Sequence, residues 1–161
     1  MPVPLFDISG IDRHAVRISS DDVARINPHR GDMRHLDHVI WMSETGDCAL
    51  GVKHVRHDEF WVPGHIPGRP LFPGVLMIEA AAQLSSVQYK SRSTDQKAND
   101  ERFLGFARCD DVSFRGQVVP GDTLYLLSKE IDFRARRFIS TCQGMVHDKI
   151  CFEVTITGMV I

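Results

Sequence analysis

At 161 residues, 43% of them apolar and 25% charged, the chain has the composition of one globular domain large enough to bury an ordinary core. A net charge of −2 with both signs interspersed excludes the basic face that a nucleic-acid binder needs. No run approaches the ~18 apolar residues of a membrane span. Residues 1–10 lack the basic start and apolar core of a signal peptide, so a cytoplasmic protein is expected.

Residues 1–20 contain Pro2, Pro4 and Gly10 without a sustained period, which reads as an extended arm over the body or over a partner subunit. Ser19 or Ser20 caps a short helix, DDVARI, whose early carboxylates suit the positive end of its dipole, and Asn27-Pro28 stops it. After a polar link, 36–42 and 48–56 read as strands joined through the turn formers of 43–47. In the second, Cys48, Leu50, Val52 and His54 share one face. His54, His57 and Asp58 do not make a metal site, because residues three apart on a strand point to opposite faces and a fourth ligand is missing. His35 and His38 fail in the same way.

A glycine- and proline-punctuated loop leads to Pro73, which suits the first position of a helix predicted to run to about Lys90. Val75, Leu76, Met77, Ile78, Ala80, Ala81, Ala82, Leu84 and Val87 cover nearly every face, the pattern of a buried helix. Residues 91–101 form a polar loop, after which the period becomes alternating. Residues 103–114 read as one strand or two, 118–122 as a turn, and 123–133 and 137–146 as long strands. A hairpin turn at 147–149 leads into a last strand over 150–160, and three such strands in succession must be antiparallel neighbours. The four cysteines, Cys48, Cys109, Cys142 and Cys151, lie in apolar segments with no C-x-x-C pair, which favours buried thiols over disulfides or zinc.

One buried helix and about six strands point to an α+β domain in which the sheet curves around the helix, since a helix apolar all round cannot rest on a flat sheet. One sheet still covers only part of it. The remainder is expected to meet a second subunit, which gives a homodimer.

Among the aliphatic residues of the helix stands Glu79, and burying an unpaired carboxylate costs several kcal/mol. A Glu at the edge of the buried face, reaching water, would look the same in sequence. The approach loop favours a functional role: His65 sits between glycines in a segment of defined shape, and a His and a Glu so placed are a candidate acid/base pair. The free N–H groups at the helix start, Gly74 first, can polarise a carbonyl oxygen. Gln83, one turn beyond Glu79, lies on the same face, where it either orients the carboxylate or is an ordinary buried amide.

At these residues the chain becomes recognisable. GHIPGRPLFPGVLMIEAAAQ, residues 64–83, closely resembles the signature of the (3R)-3-hydroxyacyl-[acyl carrier protein] dehydratases of fatty-acid synthesis, which have the hot-dog fold. INPHR, DEFWVPGH, FLGFARCDDVSF and VVPGD follow the family's order over most of the chain. The resemblance implies a single hot-dog domain over 1–161, its central helix wrapped by the sheet. His65 and Glu79 would be the catalytic pair, each site taking one residue from either subunit of a homodimer, or of a trimer of dimers. Glu rather than Asp on the helix resembles the branch that dehydrates without isomerising the double bond. Ile66 stands where Phe is usual, Trp61 and Val62 replace two aromatics and are followed by Pro63, and the run after the Pro-His-Arg element, GDMRHLDHVI, is more polar than the family's. His29 in that element is expected to bond backbone or to pack near the tunnel mouth.

The implied reaction is a β-elimination on an acyl group carried by acyl carrier protein, with Gly74 holding the thioester oxygen and no metal or redox cofactor. Phe60 and Trp61 are expected in the core or along the acyl tunnel. The densest positive cluster, Arg134, Arg136 and Arg137 with Lys129, would dock the acidic carrier protein, or is simply a solvated strand end. Two other readings remain: a hot-dog thioesterase, which uses other residue arrangements, and a non-catalytic or specialised acyl-thioester-binding protein of a polyketide or unusual-lipid pathway, where loss of His65 or Glu79 would be expected.

Overall fold

A computed structural model describes residues 1–92 and 103–161. Six strands form one antiparallel sheet in the order β1-β2-β4-β5-β6-β3: β1 His38–Met42, β2 Cys48–His54, β3 Leu104–Phe114, β4 Thr123–Arg134, β5 Arg137–Val146 and β6 Lys149–Val160. The predicted run of three long strands is the centre of that sheet. The turn between β5 and β6 holds His147 and Asp148 at φ of 50° and 61°, a tight two-residue hairpin with both residues left-handed. Residues 103–114 prove to be a single strand, with register shifts between Phe106 and Arg108 and between Asp110 and Ser113.

The short helix α1, Ser20–Ile26, is capped by Ser19, whose side chain accepts from the Asp22 N–H, and it ends at Asn27 as the sequence predicts. The long helix α2, Gly74–Arg92, starts one residue later than expected and ends two later. Pro73 precedes it, and its carbonyl accepts from the Leu76 and Met77 N–H groups. Of the loop expected at 91–101, Ser91 and Arg92 belong to α2, and 93–101 lies outside the described residues.

Helix α2 packs into the concave face of the sheet, where Ala80, Ala81, Leu84 and Val87 meet Leu124, Leu126, Phe138, Phe152 and Ile156. Its buried surface is less uniformly apolar than the sequence implied, because Gln83, Ser85 and Gln88 are buried too. Each is bonded: Gln88 accepts from Ser128 Oγ at 2.6 Å and donates to the Gly46 carbonyl at 3.0 Å, and Ser85 Oγ meets Cys142 Sγ at 3.2 Å. Buried polar groups are tolerated on these terms.

The first twenty residues lie over the body of the same chain. Leu5, Phe6, Ile8, Ile11 and Ala15 cover the convex side of the sheet against Ile40, Leu50, Val52, Leu127 and Met145. That is why β2 is buried on both faces rather than on one. Ile18 also forms a bridge to Val39 and so caps the free edge of β1. The opposite edge, β3, carries exposed Phe106, Val112 and Phe114 and pairs among the described residues only with β6.

All four cysteines are free thiols. Burial pushes Cys142 up to about 11 and Cys151 up to about 12, which keeps both unreactive. Cys109 departs from the expectation of burial, because it lies on the exposed edge strand.

Gly158 on β6 packs closely against the helix-facing core. A Cβ there would stand 2.2 Å from the ring of Phe138, which is itself 2% exposed. Gly158→Ala is expected to cost about 1–3 kcal/mol through overpacking. Urea unfolding should show a lower midpoint at unchanged slope, and an unchanged midpoint would contradict this packing.

Candidate active site

One stripe of α2 escapes the sheet. Val75 is 72% exposed, and Ile78, Glu79, Ala82 and Ser86 are half-buried, at the three-to-four spacing of a single helical face. Along that stripe lies a cavity of about 190 Å³, open between Glu79, Ala82, Pro28 and His29 and floored by Phe138 and Gly158. Phe103, just before β3, and Phe106 within it form its rim.

Glu79 is held by two neighbours. Gln83 Nε2 donates to Glu79 Oε1 at 2.9 Å and to the Met33 carbonyl at 2.7 Å, while Gln83 Oε1 accepts from the His35 N–H at 2.8 Å. The amide is thereby fixed at both ends. His29 Nε2 stands 3.1 Å from the same carboxylate oxygen, and since a carboxylate only accepts, Nε2 carries the proton. Burial pushes the Glu79 carboxyl up, but the hydrogen bonds from His29 and Gln83 and the charge of His29 outweigh it and hold the group below the usual Glu range. Glu79 is therefore ionised near neutral pH. The sequence pointed His29 toward backbone or packing; the fold instead brings it, from the end of α1, to a carboxylate fifty residues away, and no spacing signal announces that.

His65 stands in the loop that leads to α2. Its N–H donates to the Trp61 carbonyl at 2.8 Å, the Leu71 N–H donates back to its carbonyl at 2.9 Å, and Nδ1 lies 2.7 Å from the Leu71 carbonyl. The carbonyl cannot donate, so Nδ1–H is the donor, which leaves Nε2 as the nitrogen that can serve as a base. The imidazole is exposed and does not line the cavity at Glu79. Within one chain, then, His65 and Glu79 are not brought together.

Gly74 opens α2, and its N–H has no acceptor within the helix. It approaches Phe114 so closely that a Cβ would stand 2.7 Å from the ring. Trp61 is buried and Phe60 is 53% exposed, so only the first belongs to the core.

The polar run after Pro-His-Arg folds inward. His35 is fully buried between the rings of Phe60 and Phe72, 6.5 and 6.0 Å away, and burial and then the charge of Lys53 hold it below the usual histidine range, as a neutral ring. Of the arginines, Arg134 and Arg137 share Asp132, at 3.1 and 2.6 Å, and Arg136 reaches the Val160 carbonyl at 3.5 Å. Lys129 is exposed on β4. Much of the cluster's charge is thus compensated locally.

The FabA-like domain profile matches residues 27–155. The chain is 36% identical over 134 residues to the 3-hydroxyacyl-[acyl-carrier-protein] dehydratase FabZ of Desulforamulus reducens, covering 83% of this chain and 91% of that one. It is 35% identical to the protein of the same name from Clostridium acetobutylicum, covering 89% and 99%. Among solved structures, the dehydratase heterocomplex ApeI:P of Xenorhabdus doucetiae superposes with a TM-score of 0.71 at 16% identity over 86% of this chain and 90% of that one. A thioesterase of Haemophilus influenzae superposes at 0.64 and 11%, covering 89% and 90%. These two share the fold.

The His29 contact has a direct test. Because His29 lowers the Glu79 pKa in the folded state, the stability it adds is present above the unfolded-state value and is lost as pH falls through the folded-state value. His29→Ala should therefore raise the Glu79 midpoint in a 13C NMR titration of the glutamate carboxyls. A midpoint that stays put or falls would show that the contact does not set the ionisation.

Proposed function

The chain belongs to the FabA-like family, and from that premise we propose that it dehydrates (3R)-3-hydroxyacyl groups carried on acyl carrier protein to trans-2-enoyl groups in type II fatty-acid synthesis. The observation that carries this reading is an ionised Glu79 at the head of an apolar cavity, on the helix that follows a loop with a histidine base.

The site is completed by a second copy of the chain. Three features support a homodimer: the uncovered stripe of α2, the exposed His65 imidazole that does not line the cavity at its own Glu79, and the bare β3 edge with exposed Phe106, Val112 and Phe114. A long apolar edge strand invites pairing with another chain. In the dimer, His65 of one subunit works with Glu79 of the other.

Water loss proceeds from the minor form in which Glu79 has taken up a proton from solvent and His65 is neutral, the resting form being the carboxylate. Nε2 takes the α-proton, the thioester oxygen gathers negative charge beneath the Gly74 N–H, and Glu79 protonates the departing β-hydroxyl. Hydration begins from the proton-shifted state, which the resting carboxylate resembles: Glu79 takes a proton from water as it attacks Cβ, and protonated His65 delivers one to Cα. His29 and Gln83 hold the carboxylate in line for both directions. Glu79 works without metal or redox cofactor, and the double bond stays where the elimination leaves it. Lys129 and Arg136, with the arginines on Asp132, face the acidic carrier protein.

Hydration of crotonyl-acyl carrier protein, followed by loss of enoyl-thioester absorbance, tests the reading. His65→Ala and Glu79→Gln should each lower the rate by about 10²–10⁴-fold in a folded protein. A well-folded wild-type protein that hydrates no enoyl thioester, on acyl carrier protein or coenzyme A and at several chain lengths, would overturn it.

A further inference from the structure

Lys53 and Glu59 form an ion pair that is almost wholly buried, with side chains 1% and 5% exposed and Nζ 3.1 Å from Oε1. Lys53 comes from β2 and Glu59 from the turn beyond it, and neither takes part in the chemistry proposed above. Such a pair is weak grounds for stability. Taking two charges out of water costs as much as their attraction returns, and apolar residues of similar volume often do as well or better. Its presence therefore calls for another reason, and the geometry around Glu59 supplies one.

Glu59 Oε1 accepts from Lys53 Nζ and, at 2.8 Å, from the Arg56 N–H, while Oε2 accepts from the Trp61 indole N–H at 3.1 Å. Burial pushes this carboxyl up, but the Arg56 N–H, the indole and Lys53 together hold it below the usual range, so it is a full anion. Trp61 is thus fixed by its ring, which also packs on Phe72 at 5.4 Å. Its carbonyl in turn accepts the His65 N–H at 2.8 Å and the Gly64 N–H at 3.2 Å. From His65 the links continue through both hydrogen bonds to Leu71, and the next residue, Phe72, donates to the Val118 carbonyl at 2.8 Å. Lys53 Nζ lies 5.3 Å over the Phe72 ring, which closes the circuit.

We infer that the buried Lys53–Glu59 pair is a positioning device for His65: it fixes Trp61, and through the Trp61 carbonyl it sets where the imidazole stands. The pair acts through Trp61 and touches no substrate. Fixed charges suit this task because hydrogen bonds donated to an anion are strong and directional, whereas an apolar plug would fill the space without selecting one loop register. The inference rests on His65 being the base of the proposed reaction, and it is testable with and without that reading.

The decisive variant is Lys53→Met/Glu59→Leu, which removes both charges and leaves none uncompensated. It should still fold, with a melting temperature lowered only by the loss of the acceptor for the Trp61 indole and the Arg56 N–H. Its kcat for crotonyl-thioester hydration should fall ~100-fold, as expected for a base displaced by about an ångström, with KM little changed. Amide hydrogen exchange should show His65 and Leu71 losing at least ~10-fold protection while α2 and β4 to β6 keep theirs. Should the double variant fail to fold, Glu59→Gln, which keeps the shape and one acceptor, should show the same split between kcat and KM. A folded variant with wild-type kcat and wild-type exchange at His65 would overturn the inference, as would a loss of kcat that merely tracks a global loss of protection. If the wild type hydrates nothing, the reaction is wrong, and exchange at His65 alone decides whether the pair positions the loop.

Discussion

A helix with apolar residues on nearly every face cannot be covered by a single sheet, and the rest of this molecule follows from that constraint. The sheet curves around α2 and buries Ala80, Ala81, Leu84 and Val87, but the stripe through Val75, Ile78, Glu79, Ala82 and Ser86 stays outside it. That stripe is where a carboxylate is affordable. Glu79 is close enough to the core to be shielded and close enough to the cavity to meet a substrate, and His29 and Gln83 compensate its partial burial. The uncovered stripe, the exposed β3 edge and the exposed His65 are the features on which the proposed second subunit rests.

The two halves of the proposed acid/base pair are held by different physics. Glu79 sits on a rigid helix and is tuned by neutral donors and one histidine. His65 sits on a loop, where precision must be built in. There the buried charges of Lys53 and Glu59, the indole of Trp61 and the paired hydrogen bonds to Leu71 do what helical structure does for Glu79. A loop restrained in this way can place a base as well as a helix can.

Much of the fold was legible in the sequence because its signals are local. The alternation in β4, β5 and β6, the Ser19 cap and the apolar density of α2 are each readable within a dozen residues. The arm at 1–20 was legible as an arm, but its destination on the convex face was not, since Leu50, Val52 and Leu127 are apolar whether covered by this chain or by another. In the site, His65, Glu79 and Gln83 stood out through one continuous motif. His29 and Glu59 did not, because their partners are set by packing: the first reaches a carboxylate fifty residues on, and the second neutralises a lysine that a strand pattern would have placed at the surface. The run with His35 read as more polar than the family's, yet His35 is fully buried, between Phe60 and Phe72.

The central claim is that one active site takes its base from one subunit and its acid from the other. Mixing His65→Ala and Glu79→Gln chains, each inactive alone, by denaturation and refolding together tests it most directly. Shared sites require that hydration return to about a quarter of the wild-type rate, since half of the dimers are mixed and each of those holds one intact pair. A mixture that refolds into mixed dimers yet stays as inactive as its parents would contradict the claim and put both residues back into one chain's own site.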